Sequence, residues 1–128
     1  MQKKELHPTL ISGRIIRGDG YGKKIGFPTI NLDRRSFLRL KKRPSFGVYA
    51  GMVTLVGKQY KAGIVIGPLD KHGLPKIEAH LMGFSKNVHG KPAAVEIKKF
   101  IRKFKRFKSE TALVKQIKKD ILLCSRVL

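Results

Sequence analysis

From Leu10 to Arg102 the apolar residues recur at every second position, in runs broken by glycine and proline. Only beyond Ser109 does the spacing lengthen to three and four. A period of two belongs to strands, whose side chains alternate between faces, and the longer period belongs to a helix with a single apolar stripe. The strands so predicted are Leu10 to Ile16, Gly47 to Val56, Gln59 to Ile66, Lys76 to Met82 and Ala93 to Arg102. Val56-Gly57-Lys58 reads as a hairpin turn, so the strands on either side of it should pair antiparallel. Gly47 to Val56 is largely apolar on both faces, as a strand covered from both sides would be. Ser109 is placed to cap a helix whose apolar residues are Leu113, Ile117, Ile121, Cys124 and Leu128. A lone amphipathic helix needs a surface to cover, and the strands supply one. The expected architecture is therefore mainly β, about six short antiparallel strands with a C-terminal amphipathic α-helix. Periodicity leaves a closed barrel and an open sheet equally open. Residues 33 to 45 read as a connection with a helical turn, residues 1–8 as a disordered polar lead, and residues 9–128 as one domain.

With 128 residues the chain can bury one core. Its 29 Lys and Arg against 8 Asp and Glu leave a net charge of +21, which should attract nucleotides, nucleic acid or another polyanion. Cys124 is the only cysteine, which excludes an intrachain disulfide and a cysteine-rich zinc site. No apolar run approaches the ~20 residues of a membrane-spanning helix. The chain is read as a cytoplasmic monomer.

The densest local signal is Gly18-Asp-Gly-Tyr-Gly-Lys-Lys-Ile-Gly-Phe-Pro-Thr-Ile-Asn31. Glycines at 18, 20, 22 and 26 allow backbone amides to approach an anion, and Lys23 and Lys24 add point charges suited to phosphate. Pro28 stiffens the chain just before Thr29 and Asn31, which in an extended segment would turn a hydroxyl and an amide oxygen to one side, as a hard cation requires. A Mg²⁺-bound nucleotide would satisfy both halves. Neither standard glycine motif fits. Three residues separate Gly18 from Gly22 where a Walker A loop needs four, and Phe27-Pro28 cannot open the helix of a dinucleotide fingerprint.

Gly26-Phe27-Pro28-Thr29-Ile30-Asn31 resembles the Gly-x-Pro-Thr-Ala-Asn signature of riboflavin kinases. Further matches follow in order: Gly47-Val48-Tyr49-Ala50, Glu78-Ala79-His80-Leu81, and Ile101-Arg102 with Phe107 and Leu113 downstream. The resemblance implies a Greek-key-type barrel, riboflavin as phosphoryl acceptor and ATP with a divalent cation as donor, the products being FMN and ADP. It implies that Gly18, Gly20, Gly22, Lys23, Lys24, Gly26 and Pro28 hold the nucleotide phosphates and that Thr29 and Asn31 hold the cation. By position alone Glu78 reads first as a strand carboxylate paired with a neighbouring lysine. The resemblance makes it the general base on the terminal ribityl hydroxyl. It also implies a flavin flap from Gly83 to Gly90, carrying Phe84, His89 and Gly90, with Arg102 and Phe107 closing the same side. The chain departs from the usual pattern at Ala79, Gly83 and His89. None of its histidines sits in a His-x-Gly-His nucleotidyl-transfer motif, so no FAD synthesis is expected. Two other readings are a small basic barrel that binds RNA or single-stranded DNA without sequence specificity, through its cations and aromatics such as Tyr21, Tyr60 and Phe84, and a flavin-binding relative without turnover.

Overall fold

The structure is a computed structural model and describes residues 9–128, so the expected lead at residues 1–8 lies outside the described residues. Six strands close into an antiparallel barrel: β1 (Thr9–Ile16), β2 (Ile30–Leu32), β3 (Gly47–Leu55), β4 (Lys58–Leu69), β5 (Pro75–Leu81) and β6 (Pro92–Lys103), in the spatial order β1-β2-β5-β4-β3-β6. The hairpin-connected β3, β4 and β5 with β6 returning beside β3 form the Greek key. Closure decides the barrel that periodicity left open, each strand having a paired neighbour on both sides. Inward-facing Ile11, Ile15, Leu32, Val53, Leu55, Ile64, Ile66, Ile77 and Val95 fill the interior, alternating along their strands with residues that face out.

Leu55 pairs with Lys58, leaving Val56 and Gly57 as a two-residue turn with φ of 50° and 77°. Positive φ at both positions is the turn that matches the strand twist, and a β-branched residue pays for it in strain. The 33–45 connection contains one helical turn, α2 (Arg35–Leu38), whose Phe37 plugs the core. Asp33, just ahead of this turn, accepts from the Arg35 guanidinium and amide, which hold its carboxyl down at about 2. Arg34 reaches across to Asp70 in the β4–β5 loop at 2.6 Å.

The C-terminal helix, α3 (Glu110–Val127), starts where expected, the Ser109 hydroxyl accepting from the Ala112 amide at 3.1 Å. It lies across the outer face of β3, β4 and β6, so Val48 and Ala50 on the outside of β3 are as buried as Val53 and Leu55 inside. The helix packs over Gly63, where a Cβ would make an ordinary van der Waals contact with the Cys124 sulfur at 3.7 Å. Burial lifts the Cys124 thiol to about 11, with nearby Asp120 adding to the rise, so this cysteine is a protonated core residue.

Candidate active site

Thr29 ends the glycine segment and β2 begins at Ile30, whose side chain enters the core opposite Ala79. Alternation turns Asn31 outward, where its direct antiparallel partner on β5 is Glu78. Side chains of such partners stand on the same face with Cβ atoms ~4.5–5.5 Å apart. The two residue types singled out 47 positions apart in the sequence are thus neighbours across one ladder.

Each of the two carries an unmet polar demand. Asn31 is 7% exposed and its Oδ1 is buried with no hydrogen-bond partner. The Glu78 carboxylate has no hydrogen bond or ion pair among the described residues, so the paired-lysine reading fails there. Lys76 instead reaches Asp19, at 4.0 Å. Burial raises the Glu78 carboxyl above its ordinary value, Lys76 opposes the rise, Asp19 adds to it and Arg34 opposes it again. A neutral amide oxygen left unpaired at a buried position suits a hard cation, and Thr29 offers a hydroxyl beside it. No cluster of three or more His, Cys, Asp or Glu able to hold a metal occurs among the described residues. A cation at Thr29 and Asn31 would therefore depend on the oxygens of its own ligand for charge balance.

Two clefts meet at this point, Thr29 and Asp19 lining both. The first, about 430 Å³, is walled by Gly18, Gly20, Lys23, Pro28, Asn31 and the segment Ser85 to His89. A Cβ on Gly18 would stand 2.3 Å from the Asn31 amide nitrogen, so only glycine lets the loop close over that side chain. The second cleft, about 690 Å³, lies outside the barrel between β4, β5 and α3, with Glu78, His80, Arg102 and Phe107 on its walls. His80 Nδ1 donates to the Pro28 carbonyl at 2.7 Å and ties the end of the glycine loop to β5.

The loop differs from an open amide cradle. Residues Tyr21–Lys24 make one helical turn, α1, entered through Gly20 at φ 77°. The amides of Lys24, Ile25, Gly26 and Phe27 donate back to Gly20, Tyr21, Lys23 and Gly22. They are spent, so an anion must be met by the amides ahead of the turn and by Lys23. Helical spacing also turns Lys24 away from the first cleft, which neither it nor Gly26 lines, and puts Gly22 on the wall of the second. Asp19 faces the turn and Lys76, accepting from the Tyr21 amide at 2.9 Å.

The expected flavin set is divided by the fold. Arg102 and Phe107 line the second cleft together, the guanidinium 5.6 Å from the ring centroid. Phe84 packs on Tyr60 at 5.1 Å, His89 lines the first cleft, and Gly90 is bound to β1 through its amide and Ile15. The cause is topological. The chain leaving β5 reaches β6 along β1, where the Gly90 amide donates to the Ile15 carbonyl and Val88 enters the core. The second cleft is closed instead by residues 104–110 and α3. Sequence reasoning missed Asp120 there, although an acid inside the stripe of Ile117, Ile121 and Cys124 is a signal in itself.

Neutral oxygen donors at Thr29 and Asn31, beside an unpaired acid on the neighbouring strand and with a cleft to either side, are in keeping with phosphoryl transfer between two bound molecules. The riboflavin kinase (flavokinase) model matches residues 6–128, and the chain belongs to that family. It is 37% identical over 119 residues to the bifunctional riboflavin kinase/FMN adenylyltransferase of Escherichia coli strain K12, covering 91% of this chain and 37% of that protein. It is 35% identical over 117 residues to the RNA-binding riboflavin kinase RibR of Bacillus subtilis strain 168, covering 88% of this chain and 48% of that one. The chain thus spans between about a third and a half of these relatives. Among solved structures, one titled a macrolide-efflux protein from Streptococcus pneumoniae superposes with a TM-score of 0.82 at 28% identity, over 92% of this chain and 38% of that one. The riboflavin kinase of Trypanosoma brucei superposes at 0.68 over 98% and 82% of the two chains. At 24% identity that likeness speaks for the fold.

Proposed function

We propose that this chain transfers the γ-phosphoryl group of ATP to the terminal ribityl hydroxyl of riboflavin, giving FMN and ADP. The observation that carries the reading is the pairing of Asn31 with Glu78 where the two clefts meet. In it the nucleotide occupies the first cleft, its phosphates against Gly18, Gly20 and Lys23 with Ser85 to His89 facing them. Riboflavin occupies the second, its ring toward Arg102 and Phe107 and its ribityl chain toward Glu78. Thr29 and Asn31 would hold a divalent cation such as Mg²⁺, which when bound offsets charge on the phosphate oxygens. Glu78 accepts the hydroxyl proton as the acceptor oxygen bonds to the γ-phosphorus and the bond to the ADP oxygen breaks. Positioning and charge neutralisation do most of the work in such a transfer, so one oriented base suffices.

The reading includes no FAD synthesis, a cytoplasmic location in keeping with a single buried thiol, and action as a monomer. Incubation with riboflavin, ATP and Mg²⁺ followed by chromatography should yield FMN and no FAD. Riboflavin retained without turnover would favour the inactive-relative reading. A second reading rests on charge: of the 27 Lys and Arg among the described residues, five make ion pairs. A relative named as RNA-binding lends it weight. Oligonucleotide affinity that falls steeply with salt, in the absence of FMN production, would favour it over the kinase.

A further inference from the structure

Arg102 is held more completely than any other cation facing the clefts. Its Nε donates to both carboxylate oxygens of Asp120 at 3.0 and 3.2 Å, its Nη2 donates to Oδ2 at 2.8 Å, and its Nη1 donates to the Lys103 carbonyl at 3.1 Å. Phe107 lies against the guanidinium. Asp120 is 8% exposed and is fixed in turn by Gln116, one helical turn earlier, whose amide donates to Oδ1 at 2.9 Å. The chain has eight acidic residues and places this one inside the apolar stripe of α3. Burying an ion pair there gains little stability over a well-packed apolar pair, so stability alone is a poor reason for it. Its effect on geometry is large. Of the five guanidinium N–H groups, one on Nε and one on each Nη are engaged, which leaves one on each Nη for a ligand.

We propose that Asp120, braced by Gln116, is a positioning residue that holds Arg102 as a rigid, donor-bearing wall of the second cleft for a planar, carbonyl-bearing conjugated ring. A guanidinium fixed in one plane loses little freedom when a flat ring lies against it, whereas a loose one must be ordered at each binding event. The proposal rests on the assignment of the second cleft to the acceptor, and the experiment separates the two ideas.

Riboflavin affinity is read from the quenching of riboflavin's own fluorescence, and KM values for riboflavin and MgATP are measured alongside, on the full chain. Asp120→Asn keeps the shape and removes the charge. It should weaken riboflavin binding ~10-fold, the scale of a lost charged hydrogen bond, with the MgATP KM within about twofold of wild type. In an Arg102→Lys background, where the fork is gone, the same change should add nothing. Wild-type protein that fails to bind riboflavin overturns the assignment of the cleft and the proposal with it. Wild-type binding with unchanged affinity in Asp120→Asn, or effects of the two changes that multiply, overturns the role of Asp120 alone. A lower Tm with normal riboflavin affinity per folded molecule is a merely structural role and also overturns it. Should Asp120→Asn fail to fold, Gln116→Met removes only the brace and should weaken riboflavin binding ~3-fold. Unchanged affinity in that variant sinks the proposal.

Discussion

The two clefts that meet at Thr29 and Asp19 are made of different materials. The first is built largely from two short stretches of chain, the glycine segment running into β2 with Asn31 beneath Gly18, and Ser85 to His89 facing it. The second is mostly side chains, brought together from β5, β6 and α3 and locked by Arg102 and Asp120. The contrast suits the ligands proposed. A triphosphate has the same charged oxygens whatever it is attached to, and main-chain amides with a lysine can meet them. A flat ring with a polyol tail needs a shaped wall and separate polar groups at set distances, which only side chains from distant elements supply. A change in the first cleft should therefore act through loop geometry, and one in the second through a single functional group.

The sharpest separation should come from Glu78→Gln. It should cut kcat by ~10²-fold or more while leaving MgADP affinity close to wild type, since only the proton acceptor is lost. Unchanged turnover would remove Glu78 from the mechanism. The same residue sets the sign of two pH effects. Its folded-state pKa is raised by burial and it must be ionised to accept a proton, so kcat/KM should fall as pH drops through a value above the ordinary carboxylate range. An acid limb at the ordinary carboxylate value would contradict that burial. For stability the sign is opposite. A raised carboxyl favours the folded state below its unfolded pKa, and that stability is lost as pH rises through the folded value. At neutral pH Glu78→Gln should consequently melt no lower than wild type, so activity and Tm move apart.

Next in size is Gly18→Ala. Its methyl would meet the Asn31 amide, and nucleotide affinity and rate should fall together by ~10-fold or more, as should happen in Asn31→Ala. Riboflavin binding should hold in both variants. Its loss would mean that the clefts are not separable in this way. The smallest effect is a control far from both. Val56→Asn puts a residue tolerant of positive φ into the hairpin and should stabilise the fold by about 1 kcal/mol in thermal melts, with both substrate affinities unaltered.

The glycine segment could be read from the chain because it is local: its function depends on residues within one turn of each other, and composition reports that. What that reading did not hold is how the segment divides, Lys23 lining the first cleft and Lys24 and Gly26 lying outside it. Hydrogen bonds of a helical turn, invisible in a run of glycines, set where each residue projects. Glu78 and Asn31 were each singled out by family likeness, but that the two stand opposite one another across a ladder was not in the sequence. The flap residues Phe84, His89 and Gly90 were separated from Arg102 and Phe107 for a reason no local pattern holds, the side of the barrel on which the β5–β6 connection crosses.

The amino-acid order alone determined the alternating strands, the Ser109-capped helix, the crowding of glycine before Thr29 and Asn31, and the excess of cations, since each follows from neighbours along the chain. Only the closed barrel decided that Asn31 stands opposite Glu78, that α3 makes a second cleft outside the sheet, and that Asp120 meets Arg102. Register and closure are contests among many long-range pairings, settled by which arrangement buries the whole apolar interior at once.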